Sequence, residues 1–258
     1  MTNAETATYV YCVVQAARKP SVARAPSGVP GCRNLRALDA GGGLWLVVGD
    51  VPLSRYGEPS IQQSLRDLRW LSRCALSHEA VVEHWLRARA LVPMKLFTIF
   101  ESDERALAHL GKDRRRLERS ISRVAERSEW GVRIRRSSAQ VVEPPKTRAK
   151  ARAKTGSGYL AEKKHARDRV KTEGKRASAR ARAAFATLTA GAVEADRRPP
   201  PPGGSSTTRL LLDAAFLVAC SEAARFRAVA RRLSRELAPE GYRVELTGPW
   251  PPYNFIEP

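Results

Sequence analysis

Residues 8–14, TYVYCVV, form an aromatic and β-branched run without a charge, the composition of a buried strand. Such a strand commits the chain to a sheet whose apolar surface must be covered by other elements. Strand and helix signals alternate through the rest of the chain. Residues 18–34 carry three prolines and two glycines and read as a loop. Two apolar runs at 35–38 and 44–48 flank Asp39-Ala40-Gly41-Gly42-Gly43, a hairpin signal because glycine adopts positive φ without steric cost, and Pro52 ends the second run.

Ser60-Ile61-Gln62-Gln63 fits a capping box. From there Ile61, Leu65, Leu68, Leu71, Ala75, Val82 and Trp85 recur at mostly helical spacing and predict one amphipathic helix over about 61–90. Residues 91–100 (LVPMKLFTIF) read as a strand, with Pro93 at its start or at a bulge. A second helix begins near Ser102, with Asp103 and Glu104 at its positive end and Leu107, Leu110, Leu117, Ile121 and Val124 on one face; Gly111 is a point of kinking or breakage. A short strand (WGVRI) is expected at 130–134, a linker at 143–157, and a basic, alanine-rich helix from 158 toward Leu188 with sparse apolar positions at Tyr159, Leu160, Val170, Phe185 and Leu188. After the PPPPGGSS linker at 199–206 come a strand (209–219), a helix (221–237) and a strand (242–246). The series predicts an α+β fold of two small domains, 1–102 and 103–247, each a sheet covered by helices. The second holds the basic linker and helix at 143–190 and the Pro/Gly linker at 197–206, and an aromatic, proline-rich tail occupies 248–258.

Charge narrows the functional classes. The chain has 258 residues and a formal charge of +20, of which +11 lies in residues 146–182. The rest is a near-normal globular composition interrupted by one basic stretch. That stretch could bind phosphate backbones, bind an acidic partner, or be a solvated helix of good helix formers. Residues 160–184 hold no aromatic side chain, which removes the stacking platforms of single-strand recognition. Cys12, Cys32, Cys74 and Cys220 are widely spaced, show no CxxC pairing and read as reduced core residues of a cytosolic protein. No secretory leader is expected at the N-terminus, and no run approaches membrane-spanning length.

Motifs for chemistry fail one by one. His78 and His84 stand six apart, about 240° around a helix, and cannot share a metal. His109 and His165 have no ligand arrangement near them in sequence. Gly41-Gly42-Gly43 lacks the Gly-Lys-Ser/Thr of a phosphate loop, and no Gly-x-Ser-x-Gly elbow occurs. No catalytic, cofactor-binding or metal-ligating residue is expected. The distinctive segment is the tail, Gly248-Pro249-Trp250-Pro251-Pro252-Tyr253-Asn254-Phe255, whose prolines fix an extended backbone. Its aromatics either dock on the chain's own sheets or meet a partner.

This tail closely resembles the C-terminal signature of the gas vesicle protein F/L family (GvpF/GvpL). The resemblance extends in order along nearly the whole chain. It takes in Tyr9-Val10-Tyr11-Cys12-Val13-Val14, Trp70-Leu71, His78-Glu79-Ala80-Val81-Val82, the run LVPMKLFTIF at 91–100, Glu129-Trp130, Gly158-Tyr159-Leu160 and Phe216-Leu217-Val218. Two segments depart from it: MKLFT at 94–98 stands where the family usually has an Arg-Phe-Gly type segment, and 143–182 is unusually basic. The resemblance implies a non-enzymatic accessory protein of the gas vesicle, a gas-filled cytoplasmic protein organelle. It would act in nucleation and assembly through contacts with the main shell protein and other accessory proteins. It implies a variant ferredoxin-like first domain and brings no cofactor or catalytic residue. Trp250, Pro251, Pro252, Tyr253 and Phe255 are the candidate partner-binding residues, and nucleic-acid binding through 146–182 is the alternative function.

Overall fold

The structure, a computed structural model, describes residues 5–137, 156–199 and 208–256. Most of the two expected linkers, at 143–155 and 200–206, lies outside them, as does the basic run at 146–155. Two compact units emerge: residues 1–129 together with 249–258, and residues 130–248. The boundary drawn from sequence at 102–103 falls inside the first unit, because Ala106, Leu117, Ile121 and Val124 pack with Val10, Val13, Leu46 and Val48.

The first unit is built on β1 (Thr6–Gln15), β2 (Arg33–Asp39), β3 (Leu44–Pro52), β4 (Ala90–Pro93) and β5 (Ile99–Phe100). The sheet runs β2-β3-β1-β4, with β5 also paired to β1, and β1 is antiparallel to β3, β4 and β5. That order is the ferredoxin-like one. The variation is the first crossover, between β1 and β2, which is an irregular loop because Pro20, Pro26 and Pro30 deny it a helix. β1 also carries a bulge: Val10 faces Val48 and Cys12 faces Val47, so Tyr11 is the extra residue. The slip sends Tyr9, Tyr11, Cys12 and Val14 into one core and Val10 and Val13 into the other. Both faces of β1 are buried, which accounts for its unbroken apolar run.

The helices of this unit are α1 (Leu53–Tyr56), α2 (Glu58–Ser64), α3 (Leu68–Glu83), α4 (Asp103–Lys112) and α5 (Arg114–Val124). The single helix expected over 61–90 is therefore two. α2 starts behind Gly57 with Pro59 in its first turn, so Ser60 is no cap, and its hydroxyl donates to the Ser54 carbonyl instead. Asp67 starts α3 by accepting from the Arg69 and Trp70 amides. The buried seam of α3 is Trp70, Cys74, His78, Val81 and Val82, whereas Leu68 stays 74% exposed. The strand expected at 91–100 is interrupted at Phe97, whose φ of 64° turns the chain out of β4 before β5. The expected break in the second helix falls at Asp113, two residues past Gly111.

The second unit contains β6 (Arg127–Ser137, shared across the boundary), α6 (Gly156–Thr189), β7 (Glu194–Arg198), β8 (Thr208–Ala219), α7 (Ala223–Leu237) and β9 (Tyr242–Trp250). Its sheet runs β7-β8-β6-β9. Alternation supplies the core from β6 (Trp130, Val132, Ile134) and β8 (Leu212, Ala214, Phe216, Val218). α7 adds Phe226, Ala230, Leu233 and Leu237, and α6 adds Ala177, Ala181, Ala184 and Leu188. The seam of α6 is thus largely alanine, which explains why large apolar residues looked sparse there. β7, Glu-Ala-Asp-Arg-Arg, has no hydrophobic signature and was not expected from sequence; it forms an edge of the sheet.

Candidate interaction site

The tail folds into the first unit. After Trp250 the two prolines leave β9, and the Phe255 amide closes a turn on the Pro252 carbonyl at 3.1 Å. The Asn254 amide donates to Glu129 Oε2 at 2.9 Å, and its side-chain Nδ2 donates to Oε1. Glu129 is only 6% exposed, and this buried carboxylate holds the turn with both oxygens. The Tyr253 hydroxyl donates to Glu79 Oε2 on α3 at 2.6 Å. Burial holds the Glu79 carboxyl above its ordinary range, and burial together with the facing carboxylate raises the Tyr253 phenol.

Of the five tail residues singled out from sequence, Pro251, Pro252 and Phe255 are buried, Phe255 to 2% exposure. Trp250 and Tyr253 keep 37% and 38% of their surface in solvent. Of the two alternatives for the tail, docking on the chain's own fold is the one these contacts display. Three side chains are buried, Tyr253 is held by its hydroxyl on Glu79, and Trp250 and Tyr253 each keep part of a ring in solvent.

Beneath the tail's anchor on α3 lies a buried polar network that the sequence did not reveal. The Met94 carbonyl can only accept, so His78 Nε2, 3.2 Å away, carries the proton. The Phe97 amide donates to the Tyr9 hydroxyl at 3.2 Å, and that hydroxyl donates to His78 Nδ1 at 3.0 Å. Burial pushes the His78 pKa down to about 4, partly offset by the bond to Met94. Beside it the Tyr11 hydroxyl accepts from the Val29 amide, and Tyr56 donates to the Pro30 carbonyl. Trp70 stacks on Phe97 with ring centroids 5.3 Å apart. These bonds fasten two irregular segments, the crossover loop and residues 94–97, to β1, α1 and α3. The partners of His78 are 16 and 69 residues away, beyond any sequence motif.

The remaining candidates for chemistry scatter. His84 lies against Trp85 and His109 against Phe100, while His165 is exposed on α6. Among the described residues no cluster of three or more His, Cys, Asp or Glu is placed to hold a metal. The cysteines are free: Cys12 and Cys74 are buried, Cys32 is half-buried, and Cys220 is exposed, outside the core expected for it. Burial raises the Cys12, Cys32 and Cys74 thiols, leaving little thiolate for reaction. Gly41, Gly42 and Gly43 all take positive φ in the β2–β3 hairpin, and Arg114 donates to the Ala40 and Gly41 carbonyls there. No helix among the described residues is long and apolar enough to cross a membrane.

Fold and site define a two-unit α+β protein whose first unit, a ferredoxin-like variant, is completed by the C-terminal tail. The family model described as gas vesicle synthesis protein GvpL/GvpF matches residues 7–257. The chain belongs to that family. It is 32% identical over 222 residues to gas vesicle protein L of Streptomyces sp. (strain CB03234), covering 83% of this chain and 80% of that protein. Two solved structures share the fold. The gas vesicle protein GvpF of Anabaena sp. PCC7120 has a TM-score of 0.67 at 15% identity, covering 98% of this chain and 99% of that one. GvpF of Microcystis aeruginosa has a TM-score of 0.62 at 13% identity, with the same coverage.

Proposed function

We propose that the chain is a non-enzymatic accessory protein of gas vesicle assembly, acting in the cytoplasm at the forming vesicle by contacts with the main shell protein and other accessory proteins. The observation that carries this reading is the family match over residues 7–257, which runs through the tail. In this reading Trp250 and Tyr253 are the contact rings, and Pro251, Pro252 and Phe255 hold them in place.

Deleting the gene in a vesicle-forming host should abolish or malform vesicles under electron microscopy; normal vesicles would refute the role. The tail needs a finer test, because truncation at Thr247 would also remove Phe255 and Asn254 from the first unit. Trp250→Ser removes a ring that is 37% exposed and leaves Phe255 and Asn254 in place. Its co-purification with the shell protein should fall at least fivefold with the fold retained by circular dichroism, and undiminished recovery would take the tail out of the interface.

A further inference from the structure

The second unit carries a basic groove that its own fold does not neutralise. Lys171, Lys175 and Arg182 project from α6 at spacings of four and seven residues, and Arg209 at the start of β8 lines the same groove, a space of about 580 Å³. Eleven residues of helix set the outer cations about 16 Å apart along the axis. All four are exposed. Four cations around the groove are matched: Arg136 pairs with Glu173, Arg180 with Glu240, and Arg198 and Arg133 with Asp213. The four in the groove have no carboxylate partner among the described residues.

The floor of the groove says what kind of polyanion fits. Gly174 and Ser178, one turn apart, lie between the cations, and the Ser178 hydroxyl is turned back onto the Gly174 carbonyl. Glycine inside a helix is destabilising, and here packing within the unit does not demand it. A Cβ on Gly174 would meet only the tip of the Arg209 guanidinium, at an ordinary 3.8 Å. The glycine instead keeps the floor low, so that a slender chain can sit between the charged rims. Duplex phosphates would ride on the rims and need no such floor, and a single strand would need stacking rings, which the lining lacks.

We propose that this groove is a docking site for an acidic polypeptide segment of a partner protein, bound with its carboxylates on Lys171, Lys175, Arg182 and Arg209 and its backbone over Gly174 and Ser178. The site does not depend on the assembly role or on the tail. Fluorescence anisotropy with the full chain would use three labelled probes at about 50 mM salt: a 16-residue Glu/Ala peptide, a 20-base-pair DNA duplex and a 20-nucleotide single strand. The peptide should bind, and the double variant Lys175→Glu/Arg209→Glu should weaken it at least tenfold. Arg231→Glu/Arg235→Glu, an equal charge change on the exposed face of α7, should weaken it less than twofold. Gly174→Leu keeps every charge and improves helix propensity, yet should also weaken the peptide about tenfold by filling the floor. Circular dichroism confirms that each variant is folded. The proposal is overturned by equal losses in the two charge variants, by full peptide affinity in Gly174→Leu, by absence of peptide binding, or by tighter groove-dependent binding of either DNA.

Discussion

At the residue scale, His78 shows how one side chain can be structural and still leave a measurable chemical signature. In the unfolded chain its ring takes a proton near pH 6.5, while in the fold burial delays protonation to about 4. The folded state therefore binds fewer protons between these values, and stability that is fully present above pH 6.5 is lost as pH falls toward 4. By pH 4 that loss is about 3 kcal/mol, from protonation at about 4 in the fold against 6.5 in the unfolded chain. Urea unfolding between pH 7 and 4 should show the decline, and His78→Phe should flatten it. A second loss belongs to Asp103, which Arg36 and Thr8 hold below the usual carboxylate range; it sets in only below pH 3.8 and survives in the histidine variant. Glu79, held above its ordinary range, takes up its proton earlier in the fold and offsets part of the decline, so the difference between the wild-type and His78→Phe curves isolates the imidazole; a difference that stays constant from pH 7 to 4 would contradict its burial in the neutral form.

At the element scale, the sequence is most legible where a signal is local and strong. The β1 run, the triple-glycine hairpin and the α7 stripe are all where the pattern puts them. It is least legible where tertiary context overrides periodicity. Leu65 and Leu68 continue a helical repeat, yet α2 ends at Ser64 and Asp67 caps the start of α3, and both leucines remain exposed. α6 buries alanines that a search for large apolar residues passes over, and β7 is a polar edge recognisable only from its partner β8. The crossover is legible as a loop, but its attachment is not, because Tyr11 and Tyr56 are 18 and 26 residues from the groups they hold. Gly28 sits in that loop at φ 82°, and a Cβ there would lie 2.3 Å from the Tyr11 hydroxyl. Gly28→Ala combines a disfavoured backbone region with displacement of the Tyr11–Val29 bond. It should cost about 2–4 kcal/mol by urea denaturation; a cost under about 0.5 kcal/mol would show that the loop is not fastened there.

At the scale of the whole molecule, the chain order differs from the order of its units. Residues 130–248 form the second unit and are inserted in the chain ahead of the last ten residues, which complete the first, so the tail bears on stability as well as on any partner. Domain boundaries drawn along the sequence miss this because nothing local marks Phe255 and Asn254 as belonging with Glu129. The consequence is separable. Phe255→Ala removes a ring that is 2% exposed and should destabilise the first unit by about 3 kcal/mol. Asn254→Ala takes both a side-chain donor and turn stability from Glu129, a buried carboxylate, and should cost about 1–3 kcal/mol. Hydrogen exchange on the full-length variants resolves where the loss falls. Amides of β1 and β3 should exchange faster, each in proportion to its share of the unit's opening, while those of β8 and α7 keep their protection. Equal loss in both sets would mean that the two units unfold together, and unchanged protection in β1 would mean that the tail packs on the first unit without supporting it.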